Sequence, residues 1–311
     1  MKLREIPENG TIGIVAPAFP PESNKLESGI AYLENLGYKI KRGKTLGGRH
    51  GYFAGNDQLR AGDLNEMYSD PNVDAIICAR GGWGSLRILD LLDYELIRDN
   101  PKLLIGYSDI TTLQLAIWKN CRVPSLSGPM AAVEMGKGIH RFTEKYFLDQ
   151  ISGNHSGIII DLPGVNAEIR GEEDRSGILL GGCLSLVTSL LGTKYEPDFN
   201  KVILVLEDIA EEPYKIDRHL AQLKQAGVFE KIGGLILGDF IDCEPKKDDQ
   251  HAFTVNEIFS DYFSGKTFPV ISGFPYGHGD KKISMPIGIP VTISASSRFL
   301  KIGNLFTPES V

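Results

Sequence analysis

The sequence predicts an α/β protein in two domains. The first is a doubly wound parallel sheet, and the second is a smaller, β-rich α/β domain with a mixed or antiparallel sheet. Three observations carry this. Residues 11–118 alternate short apolar runs with stretches of helical apolar spacing, which is the signature of a parallel sheet with helices on its faces. After residue 150 the pattern changes to apolar strands of other lengths and several short β signals near the end. The chain has 311 residues, against roughly 100–200 per domain.

Element by element, Thr11–Ala16 is an apolar run stopped by Pro17, a buried strand. Ser23–Leu36 places Leu26, Ile30, Leu33 and Leu36 at helical spacing and ends at Gly37. Tyr38–Arg42 is a second strand, and Asn56–Met67 a helix opened by an Asn or Asp cap. Val73–Ala79 is a strand that runs into Arg80-Gly81-Gly82-Trp83-Gly84, with Ser85–Leu92 helical after it. Leu103–Ile105 is a strand followed by Gly-Tyr-Ser-Asp and a helix through Trp118. Helix signals end near Gln150, and a boundary is expected between Gly153 and Ser176, giving domains 1–165 and 166–311. In the second half Val202–Leu206 and Gly233–Gly238 read as strands and Lys215–Gln225 as a helix. Val291–Ala295 and Phe299–Ile302 close the chain with short β segments.

Composition narrows the function. A net charge of −7 disfavours nucleic acid, which needs a dense Lys/Arg face. The cysteines, Cys78, Cys121, Cys183 and Cys243, form no CxxC pair, so neither a disulfide framework nor a metal site is expected, and Cys78 reads as a buried thiol. No His-Cys-carboxylate group has metal-ligand spacing, and no cofactor is implied. The N-terminus lacks the apolar core of a signal peptide, and no stretch approaches the ~18 apolar residues of a membrane span, so a cytoplasmic location is expected.

Four places could carry chemistry. Ser108 lies between an apolar strand and a helix, where a sharp turn would expose its hydroxyl and the N–H of Asp109 would face a developing oxyanion. A serine before a helix is also what capping alone predicts. The Arg80–Gly84 turn allows close backbone approach. It could be half of an oxyanion hole, with Arg80, Gly81 and Trp83 meeting substrate, a phosphate cradle, or a plain tight turn; it matches neither nucleotide-binding fingerprint. Glu207 follows the apolar run VILVL, so its carboxylate needs a partner, either Lys215 or Arg218 or a histidine. Asp208, Glu211 and Glu212 read as solvated or helix-capping. His278 sits between two glycines in an irregular loop, a setting for function or for an ordinary exposed histidine. His50, His140, His155, His219 and His251 lie in settings that suggest less.

Together these segments resemble the L,D-carboxypeptidase family of serine peptidases, which includes the microcin-immunity peptidases. The resemblance runs through IGIVAPA, Tyr52-Phe53-Ala54-Gly55-Asn56-Asp57 with Arg60, the Arg80–Gly84 turn and Gly106-Tyr107-Ser108-Asp109-Ile110-Thr111. It continues with Gly128-Pro129-Met130, Gly181-Gly182, Leu191-Gly192-Thr193, Leu206-Glu207-Asp208, Ile216-Asp217-Arg218 and Gly277-His278-Gly279. It implies a flavodoxin-like N-terminal domain carrying a nucleophile, Ser108, and a C-terminal domain carrying a triad carboxylate, Glu207, and base, His278. It also implies backbone oxyanion donors at Asp109 and, in the glycine turn, Gly82, and a homodimer. The substrate implied is a murein tetrapeptide losing its terminal D-alanine. The immunity branch would instead cleave peptidyl- or aminoacyl-nucleotides, and a silent two-domain binding protein is a third reading. Two positions depart from many relatives: Ser127 stands where they have His, and Cys183 where they have Asn.

Overall fold

The structure is a computed structural model that describes residues 3–152, 157–246 and 251–306. His155 of the predicted set, and the start of the expected boundary at Gly153, lie outside the described residues.

The chain forms two compact units. The first comprises 1–156, 283–288 and 304–311; the second comprises 157–282 and 289–303. The sequence reading places one crossing, between 165 and 166, whereas the chain passes between units several times. The segments that return to the first unit, 283–288 and 304–311, are too short to carry a signal of their own.

The first unit holds a six-stranded sheet. Its chain-order elements are β1 (Thr11–Val15), α1 (Ser23–Asn35), β2 (Lys39–Arg42), α2 (Asp57–Ser69), β3 (Ala75–Cys78), α3 (Ser85–Ile88), α4 (Tyr94–Asp99) and β4 (Leu103–Ile105). They continue with α5 (Thr111–Cys121), β5 (Ser125–Ser127), α6 (Glu134–Lys137) and α7 (Arg141–Ile151). Strand order is β2-β1-β3-β4-β5, all parallel, with Met285–Ile287 added antiparallel on β5 as the outer strand. This is the flavodoxin-like order, whose switch point falls between β1 and β3 and whose ligand crevice lies beyond the carboxyl ends of the strands. β3 and β4 are buried at every position, as continuous apolar strands covered on both faces must be. α2 begins where the sequence places it: the Asn56 side chain accepts the Leu59 N–H at 2.8 Å.

The second unit holds an eight-stranded mixed sheet. Its strands are β6 (Ile158–Asp161), β7 (Glu168–Arg170), β8 (Arg175–Cys183), β9 (Ile203–Ile209), β10 (Gly234–Ile241), β11 (Val270–Ser272) and, after β12 (Met285–Ile287) of the first sheet, β13 (Pro290–Ser294) and β14 (Phe299–Ile302). The order is β6-β14-β13-β8-β9-β10-β11-β7, with β8, β9, β10 and β11 parallel and the outer strands antiparallel. The helices are α8 (Leu184–Ser189), α9 (Pro213–Gln225) and α10 (Val255–Phe263). The first six residues of β9 are all buried, which places the acidic pair at its end inside the protein. Among the described residues no helix is long and apolar enough to cross a membrane.

Candidate active site

In the first unit β4 ends at Ile105, and the chain makes a sharp strand-to-helix turn. Tyr107 is extended, Ser108 has φ of +63°, and a 3-10 turn over Ser108–Ile110 leads into α5. A non-glycine residue in this left-handed region costs roughly 1–2 kcal/mol, and such outliers persist where the surroundings hold them. No side-chain cap hydrogen bond serves the 3-10 turn or α5, so capping does not explain the serine. The turn is braced from behind: the buried Gln114 side chain donates to the Gly106 carbonyl at 3.0 Å, and the Tyr107 hydroxyl donates to Glu134 at 2.7 Å.

The glycine turn lies against this serine. A Cβ at Gly81 would come within 2.9 Å of the Ser108 Cβ and 3.1 Å of its Oγ, so only glycine allows the approach. Gly82, at φ of +122°, instead lies against the Phe19 ring. The Arg80 guanidinium sits 5.7 Å from the centre of that ring, and Trp83 is 38% exposed, high for so large an apolar side chain.

In the second unit Glu207 lies near the end of β9 and is 1% exposed. Of the partners open to it, the structure supplies the histidine: His278 Nδ1 and Glu207 Oε2 are 2.7 Å apart. Lys215 pairs with Glu211 and Glu212 instead, and Arg218 lies over Tyr214. Burial pushes the Glu207 carboxyl up, and the His278 hydrogen bond pulls it back. Gly277 makes the geometry possible. At φ of +121°, its backbone lies on the carboxylate so closely that a Cβ would meet Oε2 at 2.5 Å.

Asp208 is not solvated. It is 2% exposed, and its Oδ2 accepts the Ser185 N–H at 2.8 Å, so it caps α8 from the neighbouring strand. Its Oδ1 accepts the Cys183 thiol at 3.3 Å. Cys183 is the β8 residue paired with Glu207 across the ladder, and burial among these carboxylates pushes its thiol well up. The four cysteines are buried, and none is joined in a disulfide. Ser127 is buried on β5 opposite Met285. His219 shares a 2.8 Å hydrogen bond with Thr188, and burial lowers its proton affinity. Among the described residues, no three His, Cys, Asp or Glu side chains gather as a metal site.

Asp239 escaped the sequence reading. It sits where the β9–β10 register shifts between Leu237 and Phe240, its N–H donates to the Tyr276 carbonyl at 2.8 Å, and its Oδ2 lies 2.5 Å from where a Gly279 Cβ would be. Burial pushes its carboxyl up to about 6, the Glu207 charge adds to the rise, and Lys282 opposes it. The signal was present in the sequence, since GGLILGD ends an apolar strand on an acid as VILVLE does. An acid harder to ionise folded than unfolded contributes stability below the ordinary carboxylate range and loses it as pH rises through its folded value. Asp239→Asn is therefore expected to exceed the wild type by roughly 1 kcal/mol at about pH 8, allowing for solvent screening of a half-buried group, and to lose the advantage near pH 4. Urea midpoints at the two pH values check this; an equal gap at both would contradict it.

The first α/β unit thus carries a strained serine turn, and the second a buried carboxylate–histidine pair. The chain belongs to the LD-carboxypeptidase family: residues 12–128 match the family's N-terminal domain and residues 176–293 its C-terminal domain. It is 37% identical over 298 residues to the "Probable murein peptide carboxypeptidase" of Bacillus subtilis (strain 168), covering 96% of this chain and 92% of the relative. It is 28% identical to the microcin C7 self-immunity protein MccF of Escherichia coli, covering 92% and 90%. The crystal structure of muramoyltetrapeptide carboxypeptidase from Oxalobacter formigenes superposes with a TM-score of 0.85 at 29% identity, covering 96% of this chain and 100% of the other.

Proposed function

We propose that this protein is a serine L,D-carboxypeptidase that removes the terminal D-alanine of a murein tetrapeptide. Ser108 is the nucleophile, His278 the general base and Glu207 the carboxylate that orients it. The observation that carries the reading is the 2.7 Å Glu207–His278 hydrogen bond on a loop that only glycine at 277 permits. An ionised carboxylate only accepts, so His278 Nδ1 carries the hydrogen and Nε2 keeps the lone pair a base needs. The murein substrate rests on the relatives named above.

In this mechanism Ser108 Oγ attacks the carbonyl joining an L-centre to the terminal D-residue, and its proton passes to His278 Nε2. The carbonyl oxygen becomes an oxyanion facing backbone N–H groups at Asp109 and the glycine turn, each such donor contributing roughly 3–4 kcal/mol. Collapse breaks the C–N bond, the proton passes from His278 to the departing amine, and an acyl-enzyme remains. Water, deprotonated by His278, hydrolyses that ester and frees Ser108. Arg80, beside Gly81 and Trp83, is the candidate for the substrate's terminal carboxylate. Family resemblance supports a cytoplasmic homodimer.

The test is an assay of the wild type on murein tetrapeptide beside aminoacyl sulfamoyl adenosine, with products read by mass spectrometry. Release of D-alanine from the first is expected. Turnover of the second alone would move the substrate to the class that the immunity branch cleaves.

A further inference from the structure

We infer that the Asp109 side chain, backed by the buried Arg60, is a positioning device that ties the glycine turn to the nucleophile and so sets the second oxyanion donor. The inference rests on the serine-hydrolase reading above, and every contact it uses lies within the first unit.

Asp109 follows the nucleophile and is 1% exposed. Its Oδ2 accepts the backbone N–H of Ser85, at the far end of the glycine turn, at 2.8 Å. Arg60 is fully buried, and its guanidinium donates to the Gly84 carbonyl at 2.9 Å, to the Pro17 carbonyl and to Asp57. The peptide joining Gly84 to Ser85 is thus held from both ends: its carbonyl by a cation, its N–H by an anion. The Phe53 ring closes the remaining side, since a Cβ at Gly84 would meet it at 2.7 Å and Arg60 at 2.8 Å. The guanidinium itself lies 4.5 Å from the centre of that ring.

The other end of the turn is set by contact: Gly81 rests on Ser108, with the Asp109 nitrogen 3.4 Å from where its Cβ would stand. Asp109 thus links both halves of the proposed oxyanion site, one through its own N–H and the other through its carboxylate. Burial disfavours the Asp109 charge, while Ser85, the Gly84 backbone and Arg60 favour it. A glycine-rich turn has little stiffness of its own, since Gly82 and Gly84 have φ of +122° and +132°. Its donor must nevertheless be held close to its working position, because a misplacement of about 1 Å costs about 100-fold in rate.

The experiment compares wild type, Asp109→Ala, Asp109→Asn and Arg60→Lys on the tetrapeptide, with the folded fraction of each fixed by circular dichroism at the assay temperature. Asp109→Ala is expected to lower kcat about 100-fold while KM changes less than about threefold, the pattern of an interaction used in the transition state. Asp109→Asn, whose amide oxygen still accepts the Ser85 N–H, is expected to recover kcat to within about 10-fold of wild type. Arg60→Lys loses the fork that holds two carbonyls at once and should fall between. Should Asp109→Ala fail to fold, the Asn and Lys variants decide the question by the same kcat and KM criteria. The inference is overturned if kcat survives in Asp109→Ala, if Asn does no better than Ala, or if activity merely follows the folded fraction. A wild type that releases no D-alanine would instead sink the hydrolase reading beneath it.

Discussion

Ser108→Ala is expected to lower kcat for D-alanine release about 10⁶-fold with KM little changed, because in the proposed mechanism the hydroxyl forms the acyl bond and contributes little to ground-state binding. The fold should survive. The hydroxyl caps neither the 3-10 turn nor α5, and the left-handed backbone that holds it is imposed by its neighbours. That conformation offers a second, opposite readout. Ser108→Gly is equally inactive, yet glycine occupies φ of +63° without the penalty an L side chain meets, so it should be more stable than Ser108→Ala by about 1 kcal/mol. Mass spectrometry of the tetrapeptide digest reads the first effect and urea midpoints the second. A Ser108→Ala enzyme keeping about a tenth of the wild-type rate would remove Ser108 from the chemistry.

Much of the first unit was legible because a parallel sheet covered on both faces writes its strands as unbroken apolar runs. TIGIVA, VDAIICA and LLI are such runs, and each is followed by a loop that bears on the site. Glu207 was legible for the same reason, as a charge ending a run that must be buried. Of the two readings open for Asp208, solvated or helix-capping, the structure takes the second: neighbouring strand residues ordinarily face opposite sides, one of them wet, but at the end of β9 both sides are covered, by the His278 loop on Glu207 and by α8 on Asp208. The pairing of Glu207 with His278 spans 71 residues and left no local trace; only resemblance connected them. β12 was not legible at all: Met285–Ile287 is three residues with a proline at its centre, tolerated because the strand is the outer one of its sheet. Nor did spacing reveal the hold of Asp109 and Arg60 on the glycine turn, since the motif marks these residues without saying what their side chains grip.

Glu207→Gln separates orientation from burial, and it is expected to lower kcat about 10⁴-fold without loss of fold. The amide is nearly the shape of the carboxylate, so the packing of Gly277 against it is retained. Its chemistry differs in two respects: it has no charge to stabilise the imidazolium that forms when His278 takes a proton, and an amide whose NH₂ faces His278 makes Nδ1 accept and Nε2 carry the hydrogen. A ring in that tautomer cannot take the Ser108 proton. Stability moves the other way. Burial raises the Glu207 carboxyl, so in the wild type the stability it contributes is lost as pH rises through its folded value, whereas glutamine has no charge to bury. The variant should therefore unfold in urea no earlier than the wild type near neutral pH, while its activity all but disappears. Activity near the wild-type level would show that the carboxylate does not set the histidine's tautomer. Equal loss of activity and of urea resistance would make Glu207 a structural residue rather than an orienting one.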